Sequence, residues 1–141
     1  MQRLLPLLGV LGLLPCAAAS AQERGSGFVF YSDVCLHRET GDLIGTRIGM
    51  MKLRDAVYVF YQDAEGQLEQ PQIVRLARGG LTGSKLSFTV DDSGGQRTFA
   101  GMVSETAIKG HFTDGGVGPK GNGRYDLKRV ALPESGFPEC R

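Results

Sequence analysis

From Gly27 to Val130 apolar and polar positions alternate with a period of two, and turn residues interrupt the alternation at short intervals. Successive side chains on a pleated backbone point to opposite sides, so this period predicts strands with one buried face. Strands are expected at 28–37, 43–53, 56–62, 72–77, 85–91, 97–103, 107–113 and 124–130. No long stretch carries a helical stripe. In 85–91, Leu86, Phe88 and Val90 fall inward against Ser87 and Thr89. In 43–53, Ile44, Ile48 and Met50 share one face, and Gly45, Arg47, Gly49 and Met51 the other.

Two segments are apolar on both faces. In 56–62, Val57, Val59 and Tyr61 oppose Tyr58 and Phe60; in 28–31, Val29 and Tyr31 oppose Phe28 and Phe30. One face of each lines the core. The other is expected to meet the chain's own tail, led by Phe137, or a partner subunit, or a ligand. Gly101 and Gly110 fall inside strands, where glycine weakens pairing. Sharp curvature, or an aromatic ring laid over bare backbone, accounts for such positions.

Short antiparallel strands joined by tight loops predict an all-β fold: a small up-and-down β-barrel of about eight strands, with a β-sandwich as the alternative. The three cysteines refine this. Cys16 falls in the first 21 residues, "MQRLLPLLGVLGLLPCAAASA", which read as a secretory signal with one cation at Arg3, an apolar run and small residues before a cleavage expected after Ala21. The apolar run, Leu4 to Leu14, is shorter than the roughly 20 residues a membrane-crossing helix needs, so no transmembrane segment is expected. Pro15 in front of Cys16 argues against lipid attachment there. Export to the periplasm or beyond follows, with one barrel domain at 22–132 and a tail at 133–141.

Cys35 and Cys140 remain as a pair that an oxidising compartment joins. The bridge closes a loop of about 100 residues, worth roughly 4 to 5 kcal/mol in the chain-entropy picture. It also favours the barrel, because a closed meander sets its first and last strands side by side. In strand count and order the chain resembles calycin-type barrels, the group that includes lipocalins and avidins. That resemblance implies only the barrel form. The lipocalin Gly-x-Trp signature and the tryptophan pocket of avidins are impossible in a chain without tryptophan. The Ser-Gly-x-x-Tyr loop of periplasmic lysozyme inhibitors, proteins similar in size and form, is not present either.

Charge narrows the partners. The chain holds 16 Lys and Arg against 15 Asp and Glu, and loss of Arg3 with the signal makes the remainder neutral. Interspersed signs argue against a polybasic binder of nucleic acid or of an anionic membrane. "GVGPKG", Gly116 to Gly121, matches the dinucleotide pattern G-x-G-x-x-G, but "NGRYDLKRV" follows it as a turn and a strand. The helix that would hold pyrophosphate is missing, so no cofactor is expected. His37 and His111 with Asp33 or Asp126 are residue types that ligate metals, but the two histidines read as partly exposed strand side chains, so no metal is expected. Asp91 and Asp92 are adjacent on a strand and point apart; with Asp114 they read as turn acids.

No acid, base or nucleophile constellation rises above background, so no enzyme is expected. The favoured function is a non-enzymatic binding module for a small ligand or a protein, inhibitor-like in the second case. Its candidate surface is Tyr58, Tyr61, Arg47 and Arg75, with Lys120 and Arg124 at a barrel mouth. The alternative is a structural component of a bacterial-type envelope assembly, with self-association through the apolar strand faces.

Overall fold

A computed structural model describes residues 27–92, 95–113, 123–131 and 136–141. The signal segment, the "GVGPKG" stretch and Lys120 lie outside the described residues. Among the described residues ten strands form: β1 Phe28–Ser32, β2 Cys35–Leu36, β3 Leu43–Leu53, β4 Ala56–Gly66, β5 Gln72–Arg75, β6 Leu81–Thr82, β7 Lys85–Asp92, β8 Gly95–Val103, β9 Ala107–Phe112 and β10 Arg124–Val130. All pair antiparallel in one sheet of order β5, β4, β3, β1, β10, β9, β8, β7, β6, with β2 beside β3. The fold is all-β, and the sheet curls strongly into a half-barrel.

β1 is the hinge of this order. It pairs with β3 through Phe30↔Gly49 and with β10 through Phe30↔Val130, so first and last strands are neighbours. The gap in the curled sheet therefore falls in mid-chain, between β5 and β7. There the Gln72 side chain acts as a peptide group: its Oε1 accepts from Asp91 N at 2.9 Å, and its Nε2 donates to Asp91 O. One side-chain amide thus supplies a rung of the missing ladder. The Cys35–Cys140 disulfide spans 105 positions and ties the tail to β2, where Leu36 N donates to Pro138 O and Cys140 N to Leu36 O.

The expected first strand is broken. At Asp33 and Val34 it bulges over Gly45, whose backbone has φ +128° and whose missing Cβ would stand 2.8 Å from Asp33 O. Asp33 Oδ1 accepts from Thr46 N at 2.7 Å and holds the bulge. The other boundaries follow the alternation closely, with β4 running on to Gly66 and the two-residue β6 added.

Inward side chains fill the concave face. Phe99, Ile48, Leu86, Ile108, Leu127 and Val59 are fully buried, each contributing about 1.5 to 3 kcal/mol of hydrophobic stabilisation. Phe99 stacks on Phe88 with centroids 5.0 Å apart and meets Phe112 edge-on at 5.4 Å. Its ring also lies over Gly101 and Gly110, which face each other across β8 and β9. The two glycines make room for the central ring.

One end of the barrel gathers the β3–β4 turn, the β5–β7 connection and the β8–β9 turn; we call it the turn end. The opposite, disulfide end carries the β1–β3 and β4–β5 connections. Among the described residues no helix is long and apolar enough to cross a membrane.

A Cβ at Gly110 would collide with the Phe99 ring and stand 2.6 Å from Ala100 O, a backbone atom that cannot swing away. Gly110→Ala is therefore expected to cost about 1 to 3 kcal/mol in denaturant unfolding. Gly41→Ala, with nothing within 4 Å of its Cβ position but a φ of +75°, serves as the reference for pure backbone strain. Equal losses at both positions would show that the ring does not sit on the glycine.

Candidate functional site

The outer wall of β1, β3, β4 and β5 is built in rows by its register. Phe28, Met51, Tyr58 and Arg75 stand side by side, and so do Phe30, Gly49, Phe60 and Ile73. Gly49 leaves a floor on which the Phe30 ring lies, its Cε1 2.6 Å from where a Cβ would be. Phe28 meets both Phe30 and Phe60 edge-on, with centroids 4.3 and 5.0 Å apart. Phe28 is 40% exposed and Ile73 61% exposed.

Farther along the wall Arg47 opposes Ser32 and Gln62. Its guanidinium lies 5.8 Å from the Phe30 centroid and 5.4 Å from that of Phe137. Phe137 of the C-terminal tail thus covers the Arg47 end of the wall. Tyr58 is half-buried between the exposed Phe28 and Ile73 rows.

Tyr61 faces the other way. Alternation along β4 sends it into the core with Val59, where it is 2% exposed, away from Tyr58. Its Oη donates to Asp63 Oδ2 at 2.5 Å and accepts from Arg97 Nη2 at 3.1 Å. Asp63 also accepts from Thr46 Oγ1 at 2.8 Å, and Arg97 Nη2 lies 3.4 Å from Asp63 Oδ2. The Arg97 guanidinium sits 4.6 Å from the Phe112 centroid. This polar plug closes the disulfide end of the barrel beneath a cavity of about 260 Å³ lined by Tyr61, Asp63, Glu69, Gln72, Asp91 and Arg97 among others. Hydrogen bonds offset the desolvation of a buried ion pair, and Asp63 receives them from Thr46 Oγ1, Tyr61 Oη and Arg97 Nη2.

The six residues expected to form one surface are thus divided. Tyr58 and Arg75 are cross-strand neighbours, Arg47 shares their wall, and Tyr61 is interior. Arg124 opens β10 beside His111, on the far wall. Lys120 lies outside the described residues. β9 and β10, which flank "GVGPKG", pair directly as an antiparallel hairpin, so a strand and not a helix follows it.

The histidines and acids considered as metal ligands do not converge. His37 Nδ1 lies 3.2 Å from Thr40 Oγ1, while His111 is on β9. Asp126 lies between Lys128, 2.7 Å away, and Lys109, 3.4 Å away. The Lys128 hydrogen bond holds its carboxyl below the usual range, with Lys109 adding to the effect. Sequence reasoning missed the pairing of Asp63 with Arg97, 34 positions apart. Its signal was there: both are charged residues at inward positions of their strands. Comparison with known protein families, curated proteins and solved structures finds no match for this chain.

Burial raises the phenol of Tyr61 first of all, reinforced by its hydrogen bond to Asp63 and by that carboxylate's charge, with Arg97 opposing. Tyr125 and Tyr31 are raised chiefly by burial as well. Unfolded phenols ionise near pH 10, while these keep their protons to higher pH. Their contribution to stability is therefore intact below about pH 10 and is lost as pH rises beyond it. Phenolate absorbance of these tyrosines should appear together with loss of the β-sheet circular dichroism. Ionisation of all of them near pH 10 with the sheet signal intact would contradict the buried placement.

Proposed function

We propose that the chain is an exported, non-enzymatic binding module that engages a protein partner through the outer wall of β1, β3, β4 and β5. The observation that carries this reading is the contrast between the two faces of those strands. Aromatic rings fill the concave side from Tyr61 through Phe88 and Phe99 to Tyr125. That leaves the barrel centre to side chains, whereas a small-ligand barrel keeps its interior hollow. The convex side carries exposed Phe28 and Ile73, a half-buried Tyr58 and an exposed Arg75 at the edge. Exposed aromatic residues next to arginine are the composition that anchors protein interfaces.

The chemistry of the interior supports a binder over an enzyme. Asp63 is occupied by three donors, and burial together with that carboxylate pushes the Tyr61 phenol away from ionisation, so the phenol is not poised to give up a proton at neutral pH. A photo-crosslinking side chain placed at Tyr58 or Ile73, in cells that produce the protein, should yield a discrete adduct with another protein. The same group at His111, exposed on the far wall, should not. Adducts of equal yield from all three positions, or from His111 alone, would contradict the assignment of the wall.

A further inference from the structure

The described charges are sorted by the fold in a way the linear sequence conceals. Lys52 and Arg54 flank the β3–β4 turn, and Arg75 and Arg78 border the β5–β7 connection. Lys85 begins β7, and Arg129, next to the last residue of β10, donates from Nη1 to Glu105 O in the β8–β9 turn. All are exposed and all belong to the turn end, where the carboxylates among the described residues are Asp55 and Glu105. The disulfide end reverses the balance: Asp33, Glu39 and Asp42 in the β1–β3 connection, Glu65 at the end of β4, Glu69 after it, Asp91 near the end of β7 and Glu139 in the tail stand against Arg38, Arg47, Arg124 and Arg141. A near-balance of 16 Lys and Arg against 15 Asp and Glu over the whole chain therefore conceals a dipole along the barrel axis.

Of the five exposed large hydrophobics among the described residues, three are at the cationic end: Phe28 at 40%, Leu53 at 48% and Met102 at 48% exposure. Among the described residues, Lys52, Arg54, Arg75, Arg78 and Lys85 make no ion pair. Among the described residues, the turn tip is also the one place where a non-glycine residue takes a left-handed backbone. Arg54, first of the two residues between the paired Leu53 and Ala56, has φ +56°. Glycine or asparagine is the relaxed choice there, so the chain carries a charged side chain at a conformational cost.

We infer that the turn end docks on an anionic lipid surface, with Leu53 and Phe28 entering the headgroup region and the surrounding cations on lipid phosphates. The docking goes beyond the protein-binding wall and does not require it. The cations come from separate elements distributed around the rim, β3, β5, β7 and β10, and so form an extended array and not a recess. Such an array matches a laterally continuous negative plane better than a single carboxylate-bearing side chain. Apolar tips supply the second signal that stable attachment to a membrane surface requires. The acidic disulfide end, repelled by the same plane, orients the barrel upright.

The test is sedimentation of the folded, disulfide-bonded protein with vesicles of phosphatidylcholine, alone or with about 30 mol per cent phosphatidylglycerol. Binding is expected to the anionic vesicles only and to fall as salt is raised. Removing a rim cation should weaken it about fivefold, as for each Lys or Arg near such a surface. Arg54→Gly separates docking from folding, because relief of the left-handed strain should raise the melting temperature while binding weakens. Leu53→Ser should weaken binding at constant charge, and Glu65→Lys, at the other end, should not.

Equal binding to both vesicle types, no binding to either, or Arg54→Gly and Arg78→Glu variants that bind like the parent would each overturn the proposal. Arg78-dependent binding of poly-glutamate without vesicle binding would overturn it in favour of an acidic protein partner. Ile73→Ser should leave vesicle binding unchanged, so failure here is distinguishable from failure of the outer-wall reading.

Discussion

The double pairing of β1 is the constraint on which the rest of the structure depends. Phe30 meets Gly49 of β3 on one side and Val130 of β10 on the other, joining the two ends of the chain at the centre of the sheet. The halves on either side can then curl toward each other. Their meeting line falls between β5 and β7, where a glutamine amide substitutes for backbone. The disulfide reinforces the same junction from the disulfide end, since Cys35 follows β1 directly and Cys140 belongs to the tail. Curl in turn creates the concave space that Phe99 occupies, and Gly101 and Gly110 admit the ring without distorting β8 and β9.

That arrangement gives each surface a distinct character. The concave face is apolar along its length and ends in the Tyr61, Asp63 and Arg97 plug, where inward positions extend past the hydrophobic core. The convex wall keeps a second apolar face, on which Phe137 of the tail meets Arg47. The barrel ends collect the turns, and because alternate turns fall at opposite ends, charges interspersed in the sequence become separated in space. A residue's role here is set first by strand parity and then by its distance from either end.

Parity was legible in the sequence. The inward Leu86, Phe88 and Val90, the two-faced β1 and β4, the disulfide and an aromatic ring over glycine all follow from alternation and composition. The break at Asp33 was not, because it depends on Gly45 twelve positions away, which reads locally as an ordinary outward residue. Tyr58 and Tyr61 looked like one surface because proximity along the strand outweighed their opposite parity. Charge misled for a related reason. A net balance carries no spatial information, and the clusters at the ends draw on turns and strand ends separated by many residues.

Hydrogen exchange resolved along the chain addresses the role of β1 most directly. If β1 closes the fold between β3 and β10, amides of these three strands should be among the slowest to exchange, opening only with global unfolding, while β5 and β6 at the seam exchange much faster. Protection of β3 and β4 with rapid exchange throughout β1 and β10 would contradict the account, because the two halves of the sheet would then be joined elsewhere or not at all.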